Sequence, residues 1–142
     1  MLNEILSSFE LMDFATMDCI EENAGLKSVL VGDKPAFNLL VETSGSNTQH
    51  DAEKMEKFLE YCLENDLAAD GILANSVADA NYLWKLRENA SVALNKDGYV
   101  YKHDFSLPLT HFYTLAEVVR QRLGDKATRV VAFGMLEMAI FT

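Results

Sequence analysis

The chain has 142 residues, 49% of them hydrophobic and 24% charged, with 12 Lys and Arg against 22 Asp and Glu for a formal net charge of −10. Such a chain can bury one core but cannot hold two full catalytic domains, and its composition excludes wholesale disorder. It carries no basic surplus for general nucleic-acid binding, and no stretch approaches the roughly 20 apolar residues of a membrane helix.

The charge is unevenly spread. Residues 1–70 hold 15 acidic and 4 basic side chains, whereas residues 71–142 hold 7 and 8, so groups that bind a small anion are expected in the second half. The start, Met1-Leu2-Asn3-Glu4, lacks the basic and apolar regions of a signal or transit peptide.

In chain order, Ser8 to Met12 reads either as a strand leading into a helix over Phe14 to Glu22, or as part of one helix. Ala36 to Thr43 is apolar and β-prone, and the loop Ser44-Gly45-Ser46-Asn47 follows it. From Gln49 to Asp66, Ala52, Met55, Phe58, Leu59, Cys62 and Leu63 recur three and four apart, which predicts a helix. Asp70 to Ala74 is a further short strand candidate. Val77 to Leu94 predicts a second long helix with Leu83, Leu86, Ala90, Ala93 and Leu94 inward, ended by Lys96-Asp97-Gly98. Tyr99 to Ser106 alternates strictly, with Tyr99, Tyr101, His103 and Phe105 on one side, and predicts a strand. Leu109 to Leu123 predicts a third helix, after Pro108, capped by Thr114 with Glu117 or by Thr110, and stopped at Gly124. Arg129 to Phe133 is short and β-branched, a last strand. Strands alternating with helices predict one α/β or α+β domain, a sheet with helices packed on one face.

Cys19 and Cys62 are the only cysteines, too few for a disulfide scaffold, and read as free core thiols. His50, His103 and His111 are dispersed and lack the spacing of a helix-borne metal pair. Arg87 lies on the flank of the Leu83–Leu86–Ala90–Leu94 stripe, with Ser91 one turn later on the same side. An Arg there must extend to water, pair with an acidic side chain, or clamp an anionic ligand, for which its planar fork suits a carboxylate. Lys102 sits among Val100, Asp104 and Ser106 on the other side of its predicted strand, which is either a solvated face or the lining of a site. The Thr43–Asn47 loop lacks the spacing and Lys of a P-loop, so a turn into a helix accounts for it.

Leu83-Trp84-Lys85-Leu86-Arg87-Glu88, Asp97-Gly98-Tyr99-Val100-Tyr101-Lys102-His103-Asp104, Ser106-Leu107-Pro108-Leu109, Glu42-Thr43-Ser44-Gly45-Ser46-Asn47 and His50-Asp51-Ala52-Glu53-Lys54 resemble the C-terminal domain of the D-2-hydroxyglutarate dehydrogenases, flavin-linked oxidases related to vanillyl-alcohol oxidase. The likeness runs from about Ser7 to Gly134; D-lactate dehydrogenases of the same superfamily resemble these stretches less well. It implies a ferredoxin-like α+β domain with an antiparallel-type sheet, incomplete here, that caps a flavin and contacts substrate. It implies oxidation of a D-2-hydroxy acid to the 2-oxo acid, with Arg87, Ser91 and Lys102 holding substrate carboxylates and no catalytic residue in this chain. FAD would be bound mainly by a preceding domain outside this chain, electrons would pass to an acceptor, and the setting would be mitochondrial. The alternative from a different class is a small carboxylate-binding module without redox chemistry.

In that family the segment after the last strand carries two His that bind zinc or another divalent metal; here Met135-Leu136-Glu137-Met138-Ala139-Ile140-Phe141-Thr142 contains no His, so those ligands are expected to be missing. Residues 1–134 then form the partial substrate domain and residues 135–142 an aberrant tail. The tail reads as a frameshift. With chosen codons, GGC-CAT-GTT-GGA-GAT-GGC-AAT-TTT-CAC-T encodes Gly-His-Val-Gly-Asp-Gly-Asn-Phe-His. Loss of one C gives GGC-ATG-TTG-GAG-ATG-GCA-ATT-TTC-ACT, which encodes Gly134 through Thr142. Sequencing genomic DNA and transcript across this region should find the His-containing motif one base out of phase; no frame encoding it or a close variant would refute this reading.

Overall fold

The computed structural model describes residues 1–136. Strand β1, Leu6–Asp13, runs without a loop into helix α1, Phe14–Ala24, and Asp13 belongs to both. Its extended backbone leaves the carboxylate free to cap the helix, accepting from Thr16 N at 2.9 Å and Thr16 Oγ1 at 2.7 Å. Gly25, at φ 67°, ends α1 in the left-handed conformation that a residue with a Cβ adopts at a cost. The opening segment is thus strand then helix, the first of the two readings.

Strand β2, Phe37–Thr43, returns antiparallel to β1, from Asp13 opposite Phe37 to Ser8 opposite Glu42, with an irregularity beside Leu6. Asn47 caps helix α2, Thr48–Glu64, by accepting from His50 N at 3.1 Å, and Ser76 caps helix α3, Val77–Leu94, by accepting from Asp79 N at 3.1 Å. A 3₁₀ turn, Leu109–His111, precedes helix α4, Thr114–Leu123, and strand β3, Phe133–Met135, closes the sheet in the order β2-β1-β3, all antiparallel. This is an open α+β arrangement with α1 and α3 over one face of the sheet.

The core lies between those two helices and the sheet. Met12 and Leu40 from the strands meet Cys19 and Ile20 of α1 and Leu86, Ala90, Ala93 and Leu94 of α3. Ala90 and Ala93 are buried almost completely, so small side chains stand where the helices cross, and the bulk is supplied by Ile20 and Leu86. The α2 stripe is less well covered: Met55, Phe58, Leu59 and Cys62 are half-buried and Leu63 is exposed. Cys19 and Cys62 are both free thiols, the first buried and the second half-buried. Among the described residues no helix is long and apolar enough to cross a membrane.

Four local expectations need correction. Tyr99 to Ser106 forms no strand: alternation does place Tyr99 against Tyr101, centroids 4.9 Å apart, but neither edge of the sheet pairs with this segment and Tyr99 is 86% exposed. Asp70 to Ala74 is likewise irregular, with the Asp70 carboxylate accepting from Gly71 N at 2.7 Å. The third predicted helix is broken at Phe112 and Tyr113, and no side chain caps α4, so neither Thr110 nor Thr114 plays that part. The last strand begins only at Phe133, because residues 130–132 spend their backbone groups on side chains and on the β1–α1 junction. Val130 O accepts from Arg120, and Ala132 N donates to Asp13 Oδ2 at 3.1 Å. Met135 and Leu136 still pair with β1, since ladder bonds do not depend on side-chain identity. The remainder of the tail, residues 137–142, lies outside the described residues.

Asp13 is fully buried, and Arg120, 23% exposed, donates to it through Nη2. Asp13→Ala removes a cap and leaves a largely buried guanidinium uncompensated, so urea denaturation should show a loss of about 3 kcal/mol or more; a loss below about 1 kcal/mol would contradict this role. A second polar cluster ties α1 to the turn after α3. Asn23 Nδ2 donates to Asp97 Oδ1 at 2.7 Å, and Arg129 Nε donates to Asp97 Oδ2 at 2.9 Å. The Asn23 hydrogen bond, helped by Arg129, holds the Asp97 carboxyl below its ordinary range. A lowered folded value means that its contribution to stability is complete above the ordinary aspartate value of about 3.9 and is lost as pH falls through the folded value. Asn23→Ala should therefore flatten the loss of stability between about pH 5 and about pH 2, followed by denaturation at each pH; an unchanged acid slope would assign that loss to other carboxylates.

Candidate functional site

Helix α3 presents two donors to the sheet one turn apart. Trp84 Nε1 donates to Glu42 Oε1 at 3.1 Å, and Arg87 Nε donates to Glu10 Oε2 at 2.7 Å. They are three residues apart on a helix whose Leu86 and Ala90 are buried, so the core contact sets the rotation that brings both to the strands. Glu10 lies at the centre of β1, opposite Leu40 on one side and Met135 on the other, and is 6% exposed. The Arg87 guanidinium also lies over the Phe133 ring, 4.9 Å from its centroid. Of the open readings for Arg87, the pairing with an acidic side chain is present, but only through Nε. Nη1 and Nη2, an edge with which an Arg can grip a carboxylate in two parallel hydrogen bonds, have no protein partner among the described residues.

Ser91 follows Arg87 by one turn and is half-buried. The structure keeps these two on one helix side, as the periodicity predicts. Lys102 is placed differently: it lies in the irregular segment after α3, exposed, and makes no hydrogen bond to either. Its unusual position within a strand, which had singled it out, disappears with the strand.

Sequence reading missed the most heavily bonded group in the domain. Asp13 accepts from Thr16, Ala132 N, Tyr113 Oη at 3.2 Å and Arg120. Arg120 is enclosed by Phe14 and Tyr113, with its guanidinium 5.0 and 5.5 Å from their ring centroids. Burial works against the Arg120 cation, but the hydrogen bonds to Tyr113 and Asp13 outweigh it and raise its pKa; burial and the Asp13 charge push the Tyr113 phenol up. Every donor here points at a carboxylate, a carbonyl or a phenol oxygen already supplied by the protein, so the cluster is a joint rather than a binding edge. The one sequence signal for it was Asp13 immediately before a helical stretch. Cys19 sits near Asp97 and Asn23 with its thiol pushed up by burial, and so stays protonated at neutral pH.

No three His, Cys, Asp or Glu side chains converge as a metal ion requires, among the described residues. A flavin dinucleotide also finds no complete cradle in the two hollows beside α1 and α2. One, of about 50 Å³, is lined by Phe14, Asp18 and Lys34 among others; the other, of about 270 Å³, is lined by Met1, His50, Glu53, Lys54 and Lys57. Both fall below the 300–1,000 Å³ typical of sites for drug-sized ligands.

Comparison with known proteins supplies the setting. Residues 1–137 match the family of FAD linked oxidases, C-terminal domain. The chain is 47% identical over 136 residues to the mitochondrial D-2-hydroxyglutarate dehydrogenase of Bos taurus, covering 96% of this chain and 25% of that protein. It is 40% identical over 134 residues to the protein of the same name from Danio rerio, covering 94% of this chain and 25% of that protein. Against the one from Arabidopsis thaliana it is 40% identical over 135 residues, covering 95% and 24%. The chain thus spans about a quarter of the length of these relatives. The match over residues 1–137 shows that the chain belongs to the FAD-linked oxidase C-terminal domain family.

Proposed function

We propose that this chain is the substrate-contacting domain of a flavin-dependent dehydrogenase that oxidises a D-2-hydroxy acid, D-2-hydroxyglutarate first among them, to the 2-oxo acid. One observation carries the reading: Arg87 is oriented through Nε and keeps its Nη edge for a ligand. That edge suits a carboxylate, and relatives 40–47% identical over nearly the whole chain bear the name D-2-hydroxyglutarate dehydrogenase. In this proposal Arg87, with Ser91 one turn away, grips a substrate carboxylate, and Lys102 reaches it when its exposed segment is covered by the rest of the polypeptide.

A bound flavin would supply the two-electron acceptor that this chemistry requires, held mainly by sequence beyond this domain and later reoxidised by an electron acceptor. Any divalent metal that assists removal of the hydroxyl proton would be held outside the described residues. The domain's own part is to bind, orient and discriminate: a dicarboxylate brings two anionic groups, and a fixed guanidinium selects for one of them at a set distance from the reacting carbon. Mitochondrial residence, stated in the relatives' names, belongs to the same proposal.

In the complete flavoenzyme, Arg87→Ala should lower kcat/KM for D-2-hydroxyglutarate by an amount equivalent to about 1.5–3 kcal/mol, the worth of a charge-assisted contact, roughly ten- to a hundredfold. Unchanged steady-state kinetics would refute the assignment. The absence of a flavin absorbance band near about 450 nm in the purified enzyme would instead favour a module without redox chemistry.

A further inference from the structure

We infer that Glu10 is the positioning residue of this site: it sets the orientation of Arg87 so that the Nη1–Nη2 edge is ready for a carboxylate. The inference rests on the clamp reading of Arg87 and deepens it.

A glutamate at the centre of the middle strand, 6% exposed, stands where an apolar side chain would serve stability at least as well. Its neighbours in the same row are Met12 and Ser8, and Leu40 lies opposite it. Replacing a buried ion pair by apolar residues is often neutral or stabilising, so the pair needs a reason beyond holding the fold together. Its geometry supplies one. An arginine has several rotatable bonds and a plane that must be aimed in two directions before both Nη groups can meet one carboxylate. Glu10 Oε2, 2.7 Å from Nε, fixes the guanidinium at its inner corner, and the Phe133 ring at 4.9 Å fixes its plane from beneath. Both restraints come from strands in the same ladder: Glu10 is paired with Leu40 and Met135, and Phe133 with Met12. The site is therefore referenced to the central strand, which is paired on both sides, and to its neighbour β3. Part of the ordering that a ligand would otherwise impose on Arg87 is already present in the free domain, which favours binding without adding any contact.

Glu10 could instead weaken the site by neutralising Arg87 before a substrate arrives. A fixed carboxylate at Nε and a mobile one at the Nη edge compete electrostatically, but they occupy different hydrogen-bonding edges, so orientation and charge neutralisation make opposite predictions. The test uses the complete flavoenzyme, D-2-hydroxyglutarate as substrate, and the variants Glu10→Ala, Glu10→Gln and Arg87→Ala, with thermal melts to set a temperature at which all are folded. Positioning predicts that Glu10→Ala raises KM about tenfold with kcat within about twofold, and that Glu10→Gln, which keeps an acceptor for Nε without the charge, recovers most of the lost affinity. A lowered KM in Glu10→Ala would show that Glu10 acts by neutralisation and overturn the inference. An unchanged KM with a lowered melting temperature would overturn it in favour of a structural pair. Arg87→Ala separates the two levels of the argument: if it leaves KM and kcat unchanged, the clamp reading fails and this inference with it. If it lowers kcat/KM while Glu10→Ala leaves KM unchanged, only the positioning role fails.

Discussion

The buried Asp13 carboxylate is the constraint on which the rest of this domain depends. One side chain ends the central strand, caps the helix that follows, and holds the approach to the last strand through Ala132 N. Its charge, taken wholly out of water, is tolerable only because Thr16, Tyr113, Arg120 and a backbone amide all donate to it. Arg120 comes from α4, more than a hundred residues away, and its other hydrogen bonds go to Val130 O and Tyr113 Oη. The C-terminal part of the chain is thereby fastened to the β1–α1 junction by polar contacts, where α1 and α3 are fastened to the sheet by apolar ones.

The two arginine–carboxylate pairs differ in how many guanidinium donors they use. Arg120 is spent: each hydrogen-bonding edge faces a carbonyl, a phenol or a carboxylate of the protein, and two aromatic rings enclose it. Arg87 is half spent, held at Nε and supported by one ring, with its outer edge without a protein partner among the described residues. Both are guanidiniums beside an apolar stripe, and a helical wheel makes no distinction between them. Only the count of satisfied donors does, because a fully bonded cation has nothing left with which to recognise a ligand.

Long-range charge adds a setting for that edge. The first half of the chain bears the whole of the negative excess, and Arg87 draws its fixed partner from it, since Glu10 belongs to β1. An acidic strand pairing with a basic residue of the near-neutral half turns a charge asymmetry into a defined orientation. The surface around α2 and the Tyr99–Phe105 segment is different in kind: Tyr99, Tyr101 and Phe105 are 86%, 81% and 60% exposed, and the α2 stripe is only half covered.

Local patterns determined the elements whose signals are local. Val77–Leu94 and its inward row of Leu86, Ala90, Ala93 and Leu94 follow from a 3.6-residue period, and the strand at Phe37–Thr43 from a short β-prone run before a Gly-containing loop. The motifs around Arg87 and Lys102 likewise sufficed for the family, because linked residue strings are specific even when no contact is known. Tertiary structure decided what depends on a partner. Alternation at Tyr99–Ser106 could not supply a neighbouring strand, so it formed none. The last strand starts only at Phe133, because Arg120 and Asp13 take up the backbone groups just before it. Glu10 and Asp13, three residues apart in β1, look alike in sequence. One became the partner of an arginine bonded only through Nε among the described residues and the other the centre of a closed network, because successive strand residues face opposite sides and meet different helices of the fold.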